Sequence, residues 1–202
     1  VLSETQLQAL ATHLQAAIAE SSRALTQWLG RPAEIGLERL AQVTMVQAAT
    51  LLGNDEQPVV GCWMKTQGWL TGYLILICDD ESGFALADVL LGRPVGTSTS
   101  WGPIERSAVQ ETANVVGCAF LNHLAGSAAP GGAAGALLPT PPLLQRDFAA
   151  ALVQFAVVPQ ASVADLVLLM ETKIDLEGLP TRWHLLFVPD ADGVRAIQER
   201  PW

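Results

Sequence analysis

Residues 103–126 read PIERSAVQETANVVGCAFLNHLAG and place an acid and an amide where a purely structural helix has no need of them. At about 100° per residue, Ser107, Glu111, Asn114, Cys118 and Asn122 fall in one narrow stripe. Val109, Val115, Val116, Ala119, Phe120 and Leu124 spread over the other side. One face is therefore built to be buried, and the opposite face carries a carboxylate and an amide one turn apart. Asn is a poor helix-interior residue, because its short side chain competes for backbone hydrogen bonds. An acid and an amide aligned in this way can grip a partner or position a water molecule. Plainer roles stay open: solvated surface residues for Glu111 and Asn114, a first-turn helix residue for Ser107, small packing for Cys118. His123 projects to the apolar side and reads as a core histidine with a backbone partner.

Other elements must hold that helix in place. Ser3-Glu4-Thr5-Gln6 reads as a capping box. The helix it starts runs to about Leu29, with Leu7, Leu10, Leu14, Ala17, Ile18, Leu25 and Trp28 at helical spacing, and Gly30 with Pro32 stops it. Strands are expected near 34–49, 58–66 and 69–78, the last two joined as a hairpin through Thr66-Gln67-Gly68. Asp80 can cap a short helix through Leu91, with Gly92 at its end. GRPVGTSTSWG then marks a boundary, and Pro103 suits the first turn of the key helix. GSAAPGGAAGALLPTPP reads as a flexible loop. Further strands are expected near 151–158, 163–174 and 181–188, with a last helix over Asp190–Glu199. Trp63, Trp69 and Trp183 sit in strand patterns and read as core or sheet cover. The order of helix, strands and short helix thus occurs twice, in halves of about 1–95 and 101–202. Consecutive strands predict a mainly antiparallel sheet, and the fold class is α+β with the long helices packed on the sheet.

Composition narrows the function. The chain has 202 residues, 50% of them apolar and 15% charged, which supports a well-buried core and argues against disorder. A net charge of −9 argues against nucleic acid and anionic lipid as partners, since phosphate contacts need Lys and Arg. Cys62, Cys78 and Cys118 are an odd number without a CxxC pair, as expected of free thiols in a reducing compartment. His13, His123 and His184 are scattered, so no zinc signature is visible. No apolar run approaches the ~20 residues of a membrane span. The N-terminal pattern is that of a polar helix and not of a signal peptide, so a cytoplasmic location is expected.

Ser107-x3-Glu111-x2-Asn114, followed by Pro139, resembles the active-site signature of the CheC/CheX/FliY phosphatases, which act on phosphorylated CheY in bacterial chemotaxis. GYLILICDDESGFALADVLLG (72–92) looks like that family's strand and short helix, and HLLFVPDADGVRAIQE (184–199) like its second copy. ALTQWLGRPAEIGLERL (24–40) is similar to the end of its first helix and the following strand. The resemblance covers nearly the whole chain and implies one CheC-like domain over 1–202, with two pseudo-symmetric halves and the long helices side by side. Some members carry Glu-x2-Asn on both helices. Here Gln8, Thr12 and Gln15 stand where Ser107, Glu111 and Asn114 stand in the second half, which implies a degenerate second site and one working site. The spacing to Pro139 is slightly longer than the family pattern.

The resemblance implies a hydrolase acting on the aspartyl-phosphate of a CheY-like response regulator. Asn114 would orient the attacking water, Glu111 would pair with a cation on the receiver, and Ser107 would support them. Such a receiver brings its own Mg²⁺, so no cofactor or metal is expected in this chain. A CheD-type deamidase is left open as a further partner. Two rival readings keep the fold: a non-catalytic adaptor that binds a receiver domain, and a structural part of a flagellar switch.

Overall fold

A computed structural model describes residues 2–44, 47, 58–127, 135–152, 154–155, 167–179 and 183–199. The first helix, α1 (Glu4–Leu29), begins at a capping box in which the Ser3 hydroxyl accepts from the Gln6 N–H and the Gln6 side chain accepts from the Ser3 N–H. It ends at Gly30, whose φ of 64° is the left-handed conformation that a side chain disfavours. The strands are β1 (Ala33–Val43), β2 (Pro58–Gln67), β3 (Gly72–Cys78), β4 (Leu138–Pro139), β5 (Leu143–Phe148), β6 (Val167–Leu176) and β7 (Trp183–Pro189). The remaining helices are α2 (Asp80–Leu90), α3 (Pro103–Ser127) and α4 (Ala191–Glu199).

The strands form one antiparallel sheet in the order β1-β6-β7-β3-β2, with β4 and β5 end to end on the free edge of β2. Exchanging β1 with β5, β2 with β6 and β3 with β7 turns this order into its own reverse. The repeat visible in the sequence is thus a pseudo-two-fold in space, its axis passing between the paired central strands β3 and β7.

Both long helices cover one face of the sheet. Leu10, Leu14, Ile18 and Leu25 of α1 and Val109, Val116, Phe120 and Leu124 of α3 share a core with Val60, Met64, Leu74, Met170 and Phe187 of the strands. Each such fully buried side chain contributes roughly 1.5–3 kcal/mol. Gly117 lets α3 sit close, since a Cβ there would stand 2.6 Å from Met64 Cε. The other face carries a separate cluster of Val43, Trp63, Ile75, Ile77, Leu169, Leu186 and Val188, capped by Leu152.

The boundary segment is an ordered turn built around one carboxylate. Asp88 of α2 is fully buried and accepts from the N–H groups of Gly96 (2.9 Å), Thr97 (2.8 Å) and Ser98 (3.0 Å) and from the Ser98 hydroxyl (2.6 Å). Burial pushes its pKa up, but these hydrogen bonds outweigh it and hold the carboxyl below its usual value. The unfolded chain therefore takes up the proton first, and the stabilisation is present above about pH 4 and lost as pH falls through the lower folded value. Asp88→Asn should lower the melting temperature at pH 7. Melting curves of the two proteins should converge as pH drops below about 4, and a gap that stays constant with pH would refute this account.

Three expectations need correction. Of the strand expected at 151–158, residues 151, 152, 154 and 155 are helical and the others lie outside the described residues; the strand in this region comes earlier, as β5. LLQRDF has no apolar alternation because it is an edge strand with most side chains exposed, whereas the Ala-rich stretch after it favours helix. The strand expected over 34–49 ends at Val43, and part of the remainder lies outside the described residues. The loop expected after the key helix is partly built: β4 pairs Pro139 with Thr66 and Leu138 with Gln67. The rest of that loop, 128–134, lies outside the described residues.

Candidate functional site

Gly102 and Pro103 start α3, and its first turn is anchored from outside. Glu105 meets Arg93 at 3.4 Å, which ties the helix to the turn ordered by Asp88. From there the stripe Ser107–Glu111–Asn114 rises along the outer surface. Ser107 and Glu111 are exposed and Asn114 is half-buried. Among the described residues no hydrogen bond or ion pair engages Ser107 or Glu111. Asn114 makes one local contact, its Oδ1 lying 3.5 Å from the Cys118 Sγ. Residues three apart on a helix face have Cβ atoms about 5–6 Å apart, so the acid and the amide can reach one object together.

Neighbouring elements frame the stripe on both sides. On one side α1 runs antiparallel to α3: the Trp28 indole N–H donates to the Thr112 hydroxyl at 3.0 Å, the Ser21 hydroxyl donates to the Val116 carbonyl at 3.1 Å, and Glu20 faces His123. On the other side the Gln110 amide donates to the Pro142 carbonyl at 2.8 Å and pins the segment that leads into β5. Trp28 and Ile104 are 40% and 52% exposed. An exposed indole and an exposed Ile bordering the exposed acid and the half-buried amide form a mixed surface of the kind that meets another protein.

The helical period pointed to Ser107, Glu111 and Asn114, but it did not reveal Trp28, Ile104 or Gln110. Trp28 fell on the apolar spacing of α1 and read as core; it sits at the outer seam between the helices instead. His123 also differs from expectation. It is half-buried at the same seam, with Nδ1 4.0 Å from Glu20 Oε1, because its side chain faces α1 and not the sheet. Cys62 and Cys78 are buried free thiols; burial pushes Cys62 up to about 12 and raises Cys78 well above its ordinary value. Cys118 is raised by burial as well. None of the three is an activated nucleophile.

On α1, Gln8, Thr12 and Gln15 are exposed, as the pseudo-two-fold demands of positions related to Ser107, Glu111 and Asn114. They carry neither an acid nor an Asn. The surface at this end of α1 has the same orientation with different chemistry.

No protein-family model and no curated protein matches the chain. Solved structures do. FliY of Thermotoga maritima matches with a TM-score of 0.76 at 20% identity, over 98% of this chain and 96% of that one. A chain of the FliG–FliM complex of H. pylori matches with a TM-score of 0.70 at 15% identity, over 98% and 100%. A chain of the CheX–CheY complex with BeF3 and Mg²⁺ from Borrelia burgdorferi matches with a TM-score of 0.56 at 12% identity, over 88% and 97%. At these identities the likeness speaks to the fold. The pseudo-two-fold sheet, the paired antiparallel helices and the near-complete coverage agree: the chain has the CheC/CheX/FliY-like fold.

Proposed function

We propose that this protein accelerates hydrolysis of the aspartyl-phosphate of a CheY-like receiver domain, with Asn114 and Glu111 as the catalytic pair. The observation that supports the reading is Glu111, without a side-chain partner among the described residues, one turn from Asn114, whose Oδ1 accepts only from the Cys118 thiol, both on the outer stripe of α3 framed by Trp28 and Ile104. A phosphorylated receiver holds its phosphoryl group with its own cation and Mg²⁺, so the missing element is a water in line with the phosphorus. Phosphoryl transfer rests on positioning and electrostatics. The Asn114 carbonyl accepts a hydrogen bond from that water and fixes its lone pair toward phosphorus. The Glu111 carboxylate pairs with a receiver cation and sets the register of docking, with Ser107 in support. No covalent intermediate forms on this chain, and no residue of the pair holds a metal.

The decisive experiment mixes the protein with phosphorylated receivers of its own genome and follows phosphate loss. Acceleration over the receiver alone supports the reading, and binding without acceleration refutes it. The α1 surface gives an internal control. Thr12→Ala and Gln15→Ala should leave the rate within about twofold, because removing groups that make no contact in the transition state changes no barrier. Loss of turnover in Gln15→Ala would mean that Gln15 positions a water.

One observation favours a second reading. The acid and the Asn are missing from α1, and the fold is shared with a protein seen in a FliG–FliM complex. A non-catalytic module that binds a receiver or another switch protein through the same face would keep Trp28, Ile104 and Glu111 in use. The same experiment separates the two, since only the phosphatase changes the decay rate.

A further inference from the structure

The face of the sheet away from the long helices holds three ligating side chains on three adjacent strands: Glu38 of β1, Glu171 of β6 and His184 of β7. Each offers a donor atom, and the donors lie within 4.8 Å of one another. They are far apart in sequence and meet only because β1-β6-β7 are neighbours in the sheet. The register explains the meeting. Leu37 pairs with Thr172 and Arg39 with Glu171, so Glu38 is the extra residue of a bulge in β1. A bulge re-aims a side chain, and here it brings a carboxylate beside another carboxylate.

Glu171 supplies an independent observation. It is 7% exposed, yet among the described residues no hydrogen bond reaches its carboxylate. The nearest cationic groups are Arg39 Nε at 3.9 Å and His184 Nδ1 at 4.0 Å, at the outer limit of an ion pair. A buried carboxylate without hydrogen bonds and with a second carboxylate aimed at it carries a cost unless a cation sits between them. His184 is set for that cation. Its Nδ1 lies 3.0 Å from the Thr172 carbonyl and 4.0 Å from Glu171 Oε1, so the ring is fixed beside the carboxylates, and with the proton on Nδ1 the Nε2 lone pair is the one available to a metal.

We infer that Glu38, Glu171 and His184 form a site for a divalent transition-metal ion that clamps the edge strand β1 to β6 and β7. One imidazole and two carboxylates suit zinc or a neighbouring first-row ion, whereas Mg²⁺ and Ca²⁺ prefer oxygen alone. On a tetrahedral ion with bonds of ~2.1 Å the donors stand roughly 3.4 Å apart. Glu38 is exposed and can close the difference by a rotamer change, while half-exposed Arg39 can swing into solvent. Three protein ligands leave one position for water.

The test uses untagged protein, zinc alone as the probe, and titration calorimetry with melting curves. One zinc per chain should bind at micromolar concentration and raise the melting temperature. Glu38→Ala and His184→Ala should each weaken binding by at least about tenfold. Without zinc, the melting temperature of Glu38→Ala should be equal to or above that of the parent, because Glu38 makes no hydrogen bond or ion pair among the described residues and its charge opposes that of Glu171. Glu171→Gln should also lose binding, but Glu38→Ala decides the matter even where that variant fails to fold. Absence of saturable binding, affinity unchanged in both Ala variants, or displacement of zinc by millimolar Mg²⁺ would each overturn the site. These readouts are independent of any phosphatase activity.

Discussion

Asn114→Ala is expected to lower the catalysed rate of receiver dephosphorylation by on the order of 10²-fold, the scale seen when one transition-state contact is removed. Affinity for a receiver locked in its phosphorylated-like state should change little, because the ordered water serves the chemistry and contributes little to docking. The geometry allows this separation. Asn114 is half-buried and its only side-chain hydrogen-bond partner among the described residues is the neighbouring Cys118, so truncation should leave the helix folded. Glu111→Ala should weaken both affinity and rate, since an exposed carboxylate that pairs across an interface acts on binding first. Measured together, single-turnover rates and equilibrium binding sort the two residues. Equal losses of rate and affinity at Asn114 would make it a docking residue and remove the water-positioning role.

Val116→Asp is expected to abolish folding. Val116 is fully buried on the sheet side of α3. Around it lie Leu25, Leu76, Leu86, Ile174, Leu176 and Trp183, with Thr112 as the polar neighbour. An unpaired carboxylate there costs at least ~3 kcal/mol, against a total stability of about 5–15 kcal/mol for a typical domain. Asn122→Asp, on the exposed side of the same helix, should stay within about 0.5 kcal/mol of the parent. Circular dichroism and size-exclusion chromatography read both. A folded Val116→Asp variant with unchanged melting temperature would mean that α3 is rotated from the position described.

The elements that announced themselves in the sequence are those with a strong period or a local cap. α1 carries a capping box and a closing glycine, α2 has an acidic cap, which is Asp79 accepting from the Ser82 N–H and not Asp80 as expected, and the β2–β3 hairpin has its turn at Gly68. The stripe of α3 was legible for the same reason, because helix neighbours are fixed by spacing alone. Trp28 was not, since whether a residue at the edge of an apolar face is core or seam depends on which helix packs beside it. β5 was missed because an edge strand has no buried face to impose alternation. The cluster of Glu38, Glu171 and His184 was invisible for a stronger reason. Its members meet through strand order and a bulge, and no local pattern encodes either. Glu38 belongs to no local motif, and His184 is one of three scattered histidines.

The antiparallel seam between α1 and α3 also sets a limit on traffic. Trp28 stands level with Thr112, and Glu20 with His123, so the Thr12–Gln15 surface lies about fourteen residues, or roughly 20 Å, along the axis from Glu111 and Asn114. A globular partner of about 120 residues has a radius of gyration near 14 Å and a diameter of roughly 35 Å. Two such bodies seated on this one layer of helices would overlap. Steric exclusion would hold these two surfaces to one such visitor at a time. A single acid–amide pair on this layer would therefore serve as many such partners at once as two would.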